Sequence, residues 1–308
     1  MILCLDGGTT NTRLRLMRGD TVVDTEKMSI GSSSRDKAPL KAAIREGVAA
    51  ILARNGLTEG DVPAVLASGM ITSEFGLYEL PHLCAPAGLA EFHRGMARVE
   101  LPEITGIPFL FIPGFRNAPD SFMMMRGEES ECLGLCSLCD VHTPTAVILP
   151  GSHNKVILFD GEKITACYSM MSGELIAAAA EHTILRHCFE RPFPKTFDTE
   201  ALIAGATASR DDGLTAALLP VRSMSMTGRY PTEYLFSFLV GAILYADVTA
   251  IRKYAGDLPL VIGGASPLKD EIGVLIGHFL GNPFTTVEEK TAEIASAVGA
   301  LRIFGCDR

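Results

Sequence analysis

The chain has 308 residues, 47% of them hydrophobic and 20% charged, which is the make-up of a globular protein too long for one compact core and suited to two domains. Its formal net charge of -9 argues against nucleic acid or an anionic membrane as the main partner, although a few local donors can still bind phosphate. The apolar run at 235–246 is too short and too polar to span a membrane, and no basic leader precedes residues 2–5. Neither an anchor nor a signal peptide is expected, the expected compartment is the cytoplasm, and the eight cysteines read as reduced, mostly buried thiols.

Residues 1–28 read as three strands: 2–5, 12–17 after a Gly/Thr-rich turn, and 21–28 after a tight turn at Arg18-Gly19-Asp20. A helix is predicted over 36–55, with Leu40, Ala43, Ile44, Val48, Ile51 and Leu52 on one face and Gly56 as its stop. Strands follow at 65–67 and 109–112. Residues 146–171 then repeat the opening pattern: strand 146–149, turn 150–154, strand 155–159, a turn at Asp160-Gly161 and strand 163–171. Next come an alanine-rich helix at 174–189, a long helix at 232–254, a buried strand at 258–262, a helix at 267–280, a strand at 285–287 and a final helix at 291–304. Hairpins followed by strand–helix alternation predict an α/β fold with mixed sheets.

The two turns superimpose as sequence. Gly8-Thr9-Thr10-Asn11 matches Gly151-Ser152-His153-Asn154, each directly after an apolar strand and before a strand–turn–strand, which points to an internal duplication. In the first loop the glycines allow close backbone approach to an anion, the threonines add hydroxyl donors, and Arg13 could reach a terminal phosphate. Asp6 could hold Mg²⁺ through water. In the second loop Gly151, Ser152, His153 and Lys155 offer similar donors, with a solvent-facing histidine the equal alternative for His153. An apolar strand ending in Gly263-Gly264 leaves room for a flat ligand or is a plain strand-to-helix turn. Glu128, at a helix start after Met125-Arg126-Gly127, is the candidate carboxylate to take a proton from an alcohol, although paired glutamates there also suit the helix dipole. Cys132, Cys136 and Cys139 fall at i, i+4 and i+7, which reads as a buried helical stripe rather than a zinc site with His142. There is no Gly-x-x-x-x-Gly-Lys-[Ser/Thr] loop, and the His-Arg-Asp and Asp-Phe-Gly pair of protein kinases is missing.

Asp6-Gly7-Gly8-Thr9-Thr10-Asn11-x-Arg13 resembles the first phosphate motif of the actin-like ATPase and sugar-kinase superfamily. Gly151-Ser152 resembles its second, Gly263-Gly264 its adenosine motif, Gly127-Glu128 the Gly-Asp of its carbohydrate kinases, and 292–299 its connecting helix. End to end the chain is similar to the 2-dehydro-3-deoxygalactonokinases, through Ala67-Ser68-Gly69-Met70-Ile71, Met125-Arg126-Gly127-Glu128-Glu129, Leu149-Pro150-Gly151-Ser152-His153-Asn154-Lys155 and Met171-Ser172-Gly173-Glu174-Leu175. The resemblance implies duplicated RNase H-like (actin-like ATPase) domains with mixed five-stranded sheets and an interdomain cleft, read as domains 1–115 and 116–308 with the helix at 291–305 packing back toward the interface. It implies ATP and Mg²⁺ as cofactors and phosphorylation of the 6-hydroxyl of 2-dehydro-3-deoxy-D-galactonate. Glu128 would be the base, Asp6 and Arg13 would assist, Gly69, Met70, Arg126 and Gly127 would line the sugar-acid site, and Arg126, Arg116 and Lys155 are alternative partners for its carboxylate. Another sugar acceptor, or a non-enzymatic nucleotide switch, is the alternative reading, and a homodimer is left open. The departure is Gly7, where the family pattern has tryptophan; this chain has none.

Overall fold

A computed structural model describes residues 1–306, and the chain forms two compact units. Unit 1 gathers Met1–Thr143, Phe159–Cys167 and the chain from Glu293 onward; unit 2 gathers Pro144–Leu158 and Tyr168–Ala292.

Unit 1 opens with strands β1 (Ile2–Gly7), β2 (Thr12–Arg18) and β3 (Thr21–Met28), paired antiparallel. Strand alternation sorts their side chains. Leu3, Leu5, Leu14 and Leu16 join a core with Leu40, Ile44, Val48 and Ile51 of helix α1 (Ala38–Arg54), whose i, i+4 spacing supplies the apolar stripe. The intervening residues Cys4, Asp6, Arg13 and Arg15 fall on the opposite face of the sheet. Then come β4 (Val65–Gly69), β5 (Leu83–Cys84), β6 (Ala87–Gly88), helix α2 (Leu89–Gly95), β7 (Ala97–Val99), β8 (Phe109–Phe111), β9 (Phe115–Arg116), β10 (Met124–Met125) and helix α3 (Glu128–Leu138). The main sheet runs β3-β2-β1-β4-β8-β7, with β1, β4 and β8 parallel, and a small sheet runs β10-β9-β5.

Unit 2 contains β11 (Thr145–Leu149), β12 (Asn154–Phe159), β13 (Lys163–Met170), helices α4 (Ser172–His182), α5 (Thr199–Asp212), α6 (Leu214–Thr227) and α7 (Thr232–Ala255), then β14 (Leu260–Ile262), α8 (Leu268–Phe279), β15 (Phe284–Thr286) and α9 (Glu289–Phe304). The outer ends of β12 and β13, and α9 from Glu293, group with unit 1. The strand order β15-β14-β11-β12-β13 repeats β8-β4-β1-β2-β3 of unit 1, with β11, β14 and β15 again parallel. The repeated hairpin legible in the sequence is therefore the start of a repeated five-strand topology.

Three expectations differ in detail. The compact units do not divide at 115/116, because α3 and the end of α9 meet backbone to backbone within unit 1. A Cβ on Gly134 would lie 1.9 Å from the Ala295 carbonyl oxygen, and one on Gly299 would lie 1.7 Å from that of Ser130. The helix expected over 174–189 stops at His182, where Thr183 turns the chain: its hydroxyl bonds the Ala179 carbonyl and accepts the Leu185 N–H. Helices α5 and α6 lie where nothing was assigned, their pattern interrupted by Gly205 and Pro220. Gly205 has a packing reason, since a Cβ there would lie 2.0 Å from the Phe238 carbonyl oxygen of α7. Helix α7 is long and apolar enough to cross a membrane, yet 67% of its most apolar stretch is buried, and Leu239, Ile243, Val248 and Ile251 sit in the unit 2 core.

Candidate active site

Asp6 ends the buried run of β1, opposite Arg13 on β2 and Ser68 on β4. Beyond it the backbone of three glycines converges. Gly7 pairs with Gly69 across β1 and β4. Gly69 has φ 86°, and a Cβ there would lie 2.6 Å from the Gly7 carbonyl oxygen and 3.4 Å from Asp6 Oδ1. Gly127 has φ 111°, and a Cβ on it would lie 3.0 Å from the Gly69 Cα. Only residues without a side chain permit this approach. It seats the start of α3, and with it Glu128, beside Asp6.

Four acidic groups share this corner. Burial pushes the Asp6 carboxyl above its ordinary value; the buried Arg15 and then Arg13 oppose the shift, and the Glu128 charge adds to it. Glu128 Oε2 accepts the Arg126 N–H at 3.0 Å. Glu129 is fully buried and takes the Gly127 N–H on both carboxylate oxygens, at 2.9 and 2.8 Å. Burial, with the neighbouring Glu128 charge, holds it up to about 8. Glu131, half-buried one turn on, also rises to about 8, through burial and the charges of Asp6 and Glu128. Glu129 thus fixes the turn before α3.

The first loop is closed by Gly8 N–H to the Asn11 carbonyl at 2.8 Å and held from behind by Ser32 N–H on the Gly8 carbonyl at 2.9 Å. Thr9, Thr10 and Asn11 are exposed. A cavity of ≈ 420 Å³ is lined by Asp6, Gly8, Thr10, Asn11, Thr12, Arg13, Lys27, Met28 and Ser29. Lys27 was missed in the sequence; it lies opposite Arg13 in the β2–β3 register and so adds a second cation to this wall. Arg15 was missed too. It is 1% exposed, donates to the Glu293 carbonyl at 2.6 Å, and is the leading countercharge to Asp6. The signal for Arg15 is its two-residue spacing from Arg13 on β2; that for Lys27 is only its pairing with Arg13.

Of the expected sugar-acid residues, Gly69, Met70, Arg126 and Gly127 are adjacent, Met70 in a one-turn 3-10 helix after β4. The Arg126 guanidinium is already engaged: it donates to the Thr72 carbonyl and hydroxyl, both at 2.6 Å, to the Leu80 carbonyl at 3.0 Å, and meets His82 Nδ1 at 3.3 Å.

In unit 2 the second loop is the turn between β11 and β12. The Gly151 N–H donates to Asn154 Oδ1 at 2.8 Å, and Asn154 Nδ2 donates to Asp247 Oδ1 of α7 at 3.1 Å. Asp247 is 1% exposed and pushed up to about 6 by burial, with hydrogen bonds from Ser172 and Asn154 opposing. It thereby ties Ser172 and the Gly151 loop together. A Cβ on Gly173 would lie 2.1 Å from the Gly151 carbonyl oxygen, so glycine lets α4 start on the loop. Gly263 N–H donates to the Ile148 carbonyl at 2.9 Å, and Gly264, at φ 81°, brings its Cα face against Pro150. Ser152 is exposed, His153 Nε2 is 3.1 Å from Glu174 Oε1, and the buried Lys155 donates to the His153 carbonyl at 3.0 Å. His153 and Lys155 therefore brace the loop here.

The family model described as 2-keto-3-deoxy-galactonokinase matches residues 6–297. The chain belongs to that family. A curated relative, the 2-dehydro-3-deoxygalactonokinase of Escherichia coli K12, is 28% identical over 82% of this chain and 80% of its own length. The crystal structure of a Sinorhizobium meliloti protein assigned as a 2-dehydro-3-deoxygalactonokinase has the same fold, with TM-score 0.80, 20% identity, and coverage of 100% of this chain and 97% of that one. Component A of the (R)-2-hydroxyglutaryl-CoA dehydratase of Acidaminococcus fermentans shares the fold at TM-score 0.56 and 11% identity, over 100% of this chain and 99% of that one. The architecture is that of the actin-like ATPases and sugar kinases. Within this family member, Gly7 is explained by residue 71: a Cβ at Gly7 would lie 2.7 Å from the Ile71 Cβ and 3.1 Å from its backbone nitrogen, so the turn after β4 already fills the place a larger residue at 7 would take. Gly7→Ala should destabilise by about 1–3 kcal/mol through overpacking in thermal denaturation, and Ile71→Ala, which keeps that Cβ and backbone, should not restore the loss. An unchanged melting temperature in Gly7→Ala would contradict this.

The raised carboxyls also set a pH dependence. Between their unfolded and folded proton affinities, Glu271, raised by burial to about 7, and Glu129 and Glu131, raised to about 8, hold protons in the folded chain that the unfolded chain has released. Stability from these groups is present at low pH and is lost as pH rises through 7 and 8, at ~1.4 kcal/mol per tenfold change in proton affinity. His82, lowered to about 4 mainly by burial, acts in the opposite sense only below its unfolded value of 6.5. The melting temperature should therefore fall from pH 6.5 to 8.5, and Glu129→Gln should flatten the fall. A rising melting temperature over that window would contradict the assignment.

Proposed function

We propose that this protein transfers the γ-phosphoryl group of ATP to the 6-hydroxyl of 2-dehydro-3-deoxy-D-galactonate in the cytoplasm. The observation that carries the reading is the seating of Gly127 on Gly69, which sets the Glu128 carboxylate beside Asp6 and the first loop. Family membership supplies the acceptor class. Glu128 accepts the proton of the attacking hydroxyl, which makes the oxygen a better nucleophile as the bond to phosphorus forms. Arg13 and the donors of Thr9, Thr10 and Asn11 balance phosphate charge, with Gly8 keeping the turn bare, as phosphoryl transfer depends chiefly on positioning and charge stabilisation. Ser152 contributes a further phosphate donor beside the bare backbone of Gly151, and the bare backbone of Gly263-Gly264 takes the adenosine.

The donor set suits Mg²⁺. Among the described residues no group of three or more His, Cys, Asp or Glu is arranged as a metal cage. Magnesium needs only one or two carboxylates and keeps its waters, and Asp6 is a carboxylate that a nearby cation would help to hold ionised. Bound through water to Asp6, Mg²⁺ would neutralise phosphate charge. Chelation with EDTA should abolish turnover and Mg²⁺ should restore it; metal-independent turnover would remove this role from Asp6.

Gly173→Ala, which forces α4 off the Gly151 carbonyl, should raise KM for ATP more than KM for the acceptor in steady-state assays. The functional reading is tested by coupled ADP release with a panel of 2-dehydro-3-deoxy sugar acids, the parent aldonic acids and neutral hexoses. Turnover confined to the 2-dehydro-3-deoxy acids is expected. Preference for a neutral hexose, or ATP-dependent polymerisation without turnover on any acceptor, would overturn it.

A further inference from the structure

A sugar acid needs a cation for its carboxylate, and the candidates can now be separated. Arg126 is consumed as a clip: both terminal nitrogens are bonded to Thr72, Leu80 and His82, which ties the 3-10 turn after β4 to the segment leading into β5. Lys155 is 4% exposed and donates to its own loop. Arg116 differs. It lies on β9, half-buried, opposite Met124 of β10 and so just before the Arg126-Gly127-Glu128 turn. One terminal nitrogen donates to the Ser121 carbonyl at 2.8 Å, but its Nε is buried and has no acceptor among the described residues.

His82 reports on the charge of this corner. It packs over Gly114, where a Cβ would lie 2.7 Å from its Cδ2, and both Arg126 and Arg116 act on it. Burial and these two guanidinium charges hold its imidazole down to about 4, so the ring stays neutral beside them. The acidic charges that act on Arg126 are Glu129, which is held up to about 8, and the exposed Glu79. A planar guanidinium with an unmatched donor is the side chain best suited to fork onto a carboxylate.

We infer that Arg116 binds the carboxylate of the acceptor, with His82 beside it and the acceptor chain running toward Glu128. This rests on the sugar-acid kinase reading. Arg116 then selects 2-oxo acids over neutral ketoses while taking no part in the chemical step.

The test compares wild type, Arg116→Gln and Arg116→Lys on two acceptors: the 2-dehydro-3-deoxy acid, and the 3-deoxy-2-ketose carrying a hydroxymethyl group in place of the carboxylate. For Arg116→Gln the kcat/KM ratio of acid over ketose should collapse by about 10–100-fold, with the loss in KM for the acid rather than for ATP, and Lys should restore part of it. In wild type, adding the acid without ATP should raise the His82 pKa followed by NMR, and Arg116→Gln should abolish that response. An unchanged ratio, or equal loss on both acceptors, overturns the assignment of Arg116 while wild-type activity on the acid keeps the functional reading intact. If wild type phosphorylates no sugar acid, the functional reading fails and the inference falls with it.

Discussion

Replacing Glu128 with glutamine should lower kcat by about 10²–10⁴-fold while leaving ATP affinity near the wild-type value. Gln keeps the volume and can still accept the Arg126 N–H that Glu128 Oε2 accepts at 3.0 Å, so the turn before α3 should hold. What it loses is basicity. The neighbouring Glu129→Gln is the informative comparison. Glu129 is buried, spends both oxygens on the Gly127 N–H, and is held up to about 8, so its neutral isostere should retain turnover within a few-fold. Stopped-flow nucleotide binding and steady-state turnover on the two variants read these effects separately. If Glu128→Gln keeps turnover within a few-fold of wild type, Glu128 is not the base and Asp6 becomes the carboxylate to test.

The largest effect on stability is expected at Gly299. A Cβ there would sit 1.7 Å from the Ser130 carbonyl oxygen and 3.0 Å from the Gly134 nitrogen, with helix backbone rather than a flexible side chain in the way. The α3–α9 pair must separate to admit it. Overpacking of this kind costs about 1–3 kcal/mol and sometimes more, and a contact made of backbone belongs at the upper end. Because α3 carries Glu128 at its first turn, Gly299→Ala should lower kcat as well as the melting temperature. Gly281→Ala is the control: nothing lies within 4 Å of a Cβ at that position. Chemical denaturation of the two variants decides it. Equal midpoints would show that α3 and α9 are not held at backbone distance.

The parts legible in the sequence are those that depend on local pattern. The β1 loop, its echo at Gly151 and the two hairpins follow from period-two alternation and turn residues, and the five-strand order of each unit extends that echo. Gly69 and Gly127 were singled out as motif residues, but their reason is a contact between segments far apart in the chain, which no local window contains. Arg15 and Lys27 escaped notice because their roles depend on register: pairing puts Arg15 opposite Cys4, on the Asp6 face, and Lys27 opposite Arg13. The unit boundary differs for a similar reason, since the close approach of Gly134 and Gly299 joins segments far apart in the chain. Arg126 was chosen for its charge and motif, and only its contacts with Thr72, Leu80 and His82 reveal a clip.

The central claim is transfer of phosphate to one hydroxyl of a sugar acid. It is tested most directly by incubating the purified protein with ATP, Mg²⁺ and 2-dehydro-3-deoxy-D-galactonate and following the products by ³¹P NMR with ¹³C detection of the acceptor carbons. The expected result is one ADP per phosphate monoester, with two-bond phosphorus coupling at C6, three-bond coupling at C5 and none elsewhere. ADP with free phosphate and an unmodified sugar acid, or phosphorus coupling at any carbon other than C6 and C5, would contradict it.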